Sequence, residues 1–219
     1  HDRSSKEFAF RLNHRFLVYF AVDLYEAWMT TRLADGGTRF LPVNQGSNGA
    51  GVTGGAGNPQ NPNGYATSYL WEEVLQRDSL LDLIHRFISF VKEKEEVVKN
   101  GVTKTVTKEK MIFQRYHQYD VVRKIMADVR EHGVGTNYLI QHSAGSGKSN
   151  SIAWIAYRLA SVHDVENNGL SDSVLVVTNR AVLDSQLQDT INSFEHQDGL
   201  VEAIDDKTNS RSLAEAIND

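Results

Sequence analysis

The short run Gly145-Ser-Gly-Lys-Ser149 restricts the fold of this chain more than any other feature. Two glycines one residue apart let the backbone curl until successive amides point at one anion. The Lys-Ser pair that follows supplies a cation able to reach phosphate oxygens and a hydroxyl able to ligate a metal. Such a loop works between a strand and a helix, because the helix then aims the positive end of its dipole at the same anion. The flanks predict that setting. Asn137-Tyr-Leu-Ile-Gln141 reads as a short apolar strand, and residues 148–162 have helical periodicity. One departure stands out: the first glycine of the G-x-x-x-x-G-K-[ST] pattern would fall at position 142, which is His142. The competing reading is a glycine turn followed by a fortuitous Lys-Ser.

Read as a phosphate-binding loop, Gly145, Ser146, Gly147 and Lys148 contribute backbone amides. Lys148 also reaches the β and γ phosphates of ATP, and Ser149 ligates Mg2+. Downstream, Ser173-Val-Leu-Val-Val-Thr178 reads as a second strand and residues 182–194 as a helix, while residues 119–130 form an amphipathic helix upstream. Strands alternating with helices predict an α/β fold with a parallel sheet and right-handed crossovers. Binding groups then gather at the carboxyl ends of strands, which places Thr178, Asn179 and Arg180 beside the loop. A solvated strand-to-helix connection is the alternative. At Arg115-Tyr-His-Gln118 a helix begins. The Gln118 carboxamide can both donate to and accept from an adenine edge, with a plain polar helix start as the other reading.

The front half has a different pattern. Residues 16–22 are strand-like and 27–33 alternate well enough to pair with them. Residues 44–64, rich in Gly, Asn and Pro, predict a long surface loop. A helical stretch follows from Tyr69 and another over residues 78–88, capped by Asp78 or Ser79. Asn100-Gly101 between alternating β-formers predicts a charged hairpin with a two-residue turn. The expected organisation is therefore residues 1–92, a hairpin linker at 93–112, and residues 113–219.

A net charge of -5 excludes a protein that coats nucleic acid by bulk positive charge, so any DNA contact must be local. No apolar run approaches the length of a membrane span and there is no cysteine, which leads to the expectation of a cytoplasmic protein without disulfides. Gly49-Ala-Gly-Val-Thr-Gly54 matches a dinucleotide-binding pattern by letters alone, since no strand leads into it and no helix follows directly. The histidines show no pair at metal-ligand spacing with a third partner.

Three segments in this order resemble the restriction subunit of type I restriction-modification enzymes. Ile112-Phe-Gln-Arg-Tyr-His-Gln118, Ile140-Gln-His-Ser-Ala-Gly-Ser-Gly-Lys-Ser149 and Val176-Val-Thr-Asn-Arg-Ala-Val-Leu-Asp-Ser-Gln-Leu187 look like that family's adenine motif, motif I and motif Ia. Phe20-Ala-Val-Asp23 and the stretch from Gly57 to Val74 are similar to the region joining its nuclease to its motor. Gln114 and Asn179 depart from the Pro and Asp frequent there.

The resemblance implies a slice of a PD-(D/E)xK nuclease followed by part of a RecA-like motor domain of helicase superfamily 2. It implies ATP and Mg2+ as cofactors, with Arg115 and Gln118 joining the loop in nucleotide binding and Thr178 and Arg180 contacting DNA. It also implies translocation and cleavage of double-stranded DNA, and partnership with methylation and specificity subunits. The nuclease carboxylates are expected before His1, and the acidic motif and arginine finger after Asp219, so the slice alone is expected to be inactive. Another superfamily 2 ATPase and a non-motor nucleotide switch are the alternatives.

Overall fold

The computed structural model describes residues 4–12, 14–99, 102–164, 166–178, 181–194 and 201. The chain divides into two compact units, His1–Val121 and Val122–Asp219.

In the first unit, β1 (Tyr19–Val22) and β2 (Ala27–Thr30) form an antiparallel hairpin in the register Tyr19↔Thr30 to Val22↔Ala27. Asp23 sets the turn. Its carboxylate accepts the amides of Tyr25 and Glu26 at 2.7 and 2.8 Å, an Asx turn that fixes the register of the strands. A third short strand, β3 (Leu41–Pro42), adds to the other edge of β2. Two residues carry too little pattern to be seen in a sequence.

Residues 44–64 contain no helix or strand, as their composition predicts. The segment is nonetheless stapled. Asn44 Oδ1 accepts the Ala27 amide at 2.8 Å, and Asn58 donates to Tyr25 O and to Asn44 Oδ1 while accepting from the Gln45 amide. These carboxamides replace the ladder the segment lacks. Tyr69 Oη then donates to Val43 O at 3.0 Å inside the core, ahead of a five-residue π-helix at Leu70–Val74.

Helix α1 (Arg77–Arg86) follows. Its cap is Gln76 rather than Asp78 or Ser79, and no side chain bonds the first amides. Gln76 keeps extended backbone angles and its carbonyl takes the Leu80 amide, so the helix starts one residue earlier, with Asp78 inside the first turn where it favours the dipole. A long antiparallel ribbon comes next, β4 (Ser89–Lys99) and β5 (Val102–Ile112), paired from Ser89↔Ile112 to Lys99↔Val102. That register leaves the two positions the Asn-Gly turn requires; residues 100 and 101 themselves lie outside the described residues. Thr31 Oγ1 donates to Met111 O at 2.8 Å and ties the base of the ribbon to the three-stranded sheet. Ala27, Met29, Val43, Leu70, Leu83, Phe87, Val91 and Tyr119 are the buried core here.

Helix α2 (Tyr116–His132) runs across the division between the units. In the second unit, α3 (Lys148–Ala160) packs on α4 (Ala181–Ser193). Trp154, 2% exposed, meets the Phe194 ring edge-on at 5.4 Å, and Tyr157 Oη donates to Ile191 O at 2.9 Å.

Residues 137–141 and 173–178, expected as strands, carry no ladder. Leu139 is 94% exposed and Val177 80%. The physical difference from the two sheets that do form is locality. An antiparallel hairpin is closed by its own turn, whereas a parallel strand bonds only to neighbours delivered by long crossovers. The sheets among the described residues are antiparallel, and the chain is mixed α/β. No helix of the described residues is long and apolar enough to cross a membrane.

Candidate nucleotide-phosphate site

The loop at 142–149 has the glycine conformations and the following helix that its letters predict, without the strand expected before it. Gly145 and Gly147 both take positive φ, 71° and 81°, the left-handed region that a side chain rarely occupies. Gly147 is also the N-terminal cap of α3, with φ 81° and ψ 38°, so the chain turns out of a left-handed residue straight into Lys148 and the first helical turn. A Cβ placed on Gly145 would meet nothing within 4 Å, so the surface there is open to a ligand. The Asn150 and Ser151 amides bond back to Gly147 O, leaving the very start of the helix to face outward.

Lys148 folds over this loop. Its Nζ donates to Ser143 O at 3.0 Å and to His142 O at 3.3 Å. The cation therefore spans the loop from its far end to its near end, satisfied by carbonyls that phosphate oxygens can replace. The residues present fit a triphosphate: two left-handed glycines, open space beside Gly145, a helix start and a lysine turned over the loop. Ser149, half-buried on the first turn of α3, is the hydroxyl that would hold Mg2+. Ser146 is buried within the loop.

The sequence reading did not weigh the His142 imidazole. It is half-buried, and burial first and the Lys148 charge second push its pKa below the ordinary histidine value. The only sequence signal was the failure of the glycine pattern at that position.

Arg115 and Gln118 lie in the first unit. Gln118 is 3% exposed and its Oε1 accepts the Arg115 amide at 2.9 Å. Arg115 precedes the first helical residue, Tyr116, so Gln118 sits at the third helical position and reaches back to the cap amide. That is half of a capping box. The side chain proposed to read adenine is thus also a helix cap. Beside it, Tyr116 Oη donates to Glu73 Oε2 at 3.2 Å, and burial followed by the Glu73 charge raises its pKa well above the usual phenol range.

Thr178, in the second unit, ends the expected strand, half-buried. Arg180, with Asn179, lies outside the described residues. A further constellation was not foreseen: Asp128 accepts from Tyr138 Oη and pairs with His132 Nδ1 at 2.9 Å, linking the last turns of α2 to the segment that leads into the loop. Tyr138 appears in the sequence only as one apolar letter of a strand.

Residues 117–219 match the family model of the SWI2/SNF2 ATPase. Neither a curated protein nor a solved structure gives a significant match. The family match and the loop geometry agree: this part of the chain supports a superfamily 2 helicase-like ATPase that uses ATP.

Proposed function

We propose that the chain is part of the restriction subunit of a type I restriction-modification enzyme, a cytoplasmic motor that draws double-stranded DNA past itself at the expense of ATP and cuts it. Residues 1–92 would belong to the end of its nuclease domain and the linking helices, 93–112 to a charged hairpin linker and 113–219 to the first part of the first RecA-like domain. Methylation and specificity subunits would be its partners. The observation that carries this reading is the loop at Gly145–Ser149, with two left-handed glycines, an inward lysine and a helix start in one turn of chain. The order of the adenine-motif, loop and motif Ia segments supports it.

In this reading ATP supplies the phosphoanhydride whose cleavage drives movement. The Gly145 to Lys148 backbone cradles its phosphates, Lys148 exchanges two carbonyl partners for phosphate oxygens, and Ser149 holds Mg2+. Gln118 reads the base and Arg115 lies next to it, while Thr178 and Arg180 contact the DNA backbone. Phosphate positioning alone does not hydrolyse ATP, because a water-orienting carboxylate and an arginine finger are also needed. The isolated 219 residues should accordingly turn over no ATP and cut no DNA.

The SWI2/SNF2 match favours a second reading, another superfamily 2 DNA-dependent ATPase without a nuclease. Incubating the complete protein with ATP, Mg2+, methylation and specificity subunits and long unmethylated duplex separates them. ATP-dependent double-strand cleavage is expected of a restriction subunit. Duplex-stimulated ATPase without cleavage would leave only the second reading.

A further inference from the structure

The ribbon β4–β5 is far longer than its anchorage requires. Phe90, Val91, Met111 and Ile112 pack at its base, and Val91 and Met111 are buried. Beyond them every residue from Thr103 to Lys110 is exposed, and so are Val97 and Val98. At about 3.4 Å per residue the exposed part of β5 extends over roughly 25 Å. A two-stranded ribbon is marginal by itself, and among the described residues the buried side chains of this one, Val91 and Met111, lie at its base.

The charge on it runs against the rest of the chain. Residues 89–112 carry six lysines and four glutamates, a surplus of two positive charges in a protein of net -5. Along β5 the pleat sorts the side chains. Lys104, Lys108 and Lys110 share one face with Val106, and Thr103, Thr105 and Thr107 share the other. Lysine and threonine are both donors to phosphate oxygens. Residues 89–112 include no Arg or Gln and only one Asn, Asn100, so the planar bidentate groups that read guanine and adenine edges are almost absent from the ribbon. Two strands about 4.8 Å apart also fit a major groove about 12 Å wide.

We propose that this ribbon is a sequence-independent contact for the sugar-phosphate backbone of duplex DNA, made chiefly by the face of β5 that carries Lys104, Lys108 and Lys110. The proposal deepens the DNA-motor reading by assigning a duplex contact outside the nucleotide loop, and it needs neither ATP nor Mg2+. Lys108 and Lys110 have interactions of their own within the protein, and exposed contacts of that kind yield readily to a polyanion. The lysines that flank the open strand edges also discourage pairing with another strand, which favours a polyanion over a β-partner.

The test is fluorescence anisotropy of a short labelled duplex of mixed sequence, titrated with the 219-residue chain across a series of KCl concentrations. The triple variant Lys104→Gln, Lys108→Gln, Lys110→Gln is compared with a charge-matched variant, Lys6→Gln, Arg39→Gln, Arg77→Gln, whose positions are exposed elsewhere in the first unit. Circular dichroism confirms that both fold. The ribbon variant should weaken binding at least tenfold at low salt and lower the salt slope by about 2–3, while the control keeps the slope of the parent chain. Equal slopes for all three proteins would overturn the proposal. So would a parent chain that binds anionic phospholipid vesicles through these lysines and leaves duplex untouched. Because no nucleotide is present, a failed ATPase assay on the complete protein would sink the motor reading without altering this result.

Discussion

Gln118 Oε1 accepts the Arg115 amide across the first turn of α2, so the buried side chain proposed as an adenine reader already caps the start of a helix. The two roles come apart by substitution. Gln118→Glu keeps an acceptor for the Arg115 amide and loses the donor that a base edge requires. It should lose preference for ATP over GTP while keeping the cap bond, with some stability lost to placing a carboxylate in a buried site. Gln118→Ala should lose both, with about 1–2 kcal/mol of stability from the missing cap. Competitive nucleotide binding and urea denaturation on the complete protein check this; unchanged selectivity in Gln118→Glu would leave Gln118 a cap alone.

Lys148 is one of two causes that depress the His142 pKa, the larger being burial. Lys148→Ala removes the charge and leaves the burial, so the imidazole should titrate at higher pH than in the parent while still below an exposed histidine. NMR titration of the ring resonances reads this directly. An unmoved His142 would mean that the lysine does not sit over the loop in solution.

The Tyr138 hydroxyl and then His132 lower the Asp128 pKa from its ordinary value. A carboxyl depressed in the folded state contributes stability that is present above its unfolded pKa and lost as pH falls through its folded one. Tyr138→Phe should therefore lower the melting temperature at neutral pH and shrink the fall in melting temperature on acidifying below about pH 4. An identical acid limb in both proteins would remove the Tyr138–Asp128 bond from the account.

Trp154 is the largest fully buried side chain among the described residues. Trp154→Ala should cost about 3–5 kcal/mol, and Trp154→Phe distinctly less, because the ring edge against Phe194 is partly kept. Urea unfolding followed by circular dichroism measures both. A loss below about 1 kcal/mol for alanine would place Trp154 outside the core of the second unit.

What could be seen in the sequence was what local chemistry decides. The glycines of the loop, the Asn-Gly register of the ribbon, the β1–β2 hairpin and the α-helices of the described residues are written in turn residues and in periodicity over a few turns. The Asx turn at Asp23 and the asparagine staples of residues 44–64 were not visible, because side-chain to backbone bonds leave no period. The apolar runs at 137–141 and 173–178 mark strand material but not its partners. Their exposure in this structure shows that a run of β-formers does not specify a parallel ladder by itself. The Gln118 cap was hidden for the opposite reason: the same letters serve a capping box and a base contact.

The central claim, an ATP-hydrolysing motor site at Gly145–Ser149, is tested most directly by steady-state ATPase of the complete protein with and without linear duplex DNA, for the parent and for Lys148→Ala. The account predicts duplex-stimulated turnover in the parent and a loss on the order of 10³-fold in the variant, since in the proposed site the lysine would meet phosphate charge in the transition state. A Lys148→Ala protein that hydrolyses ATP at the parent rate would contradict it.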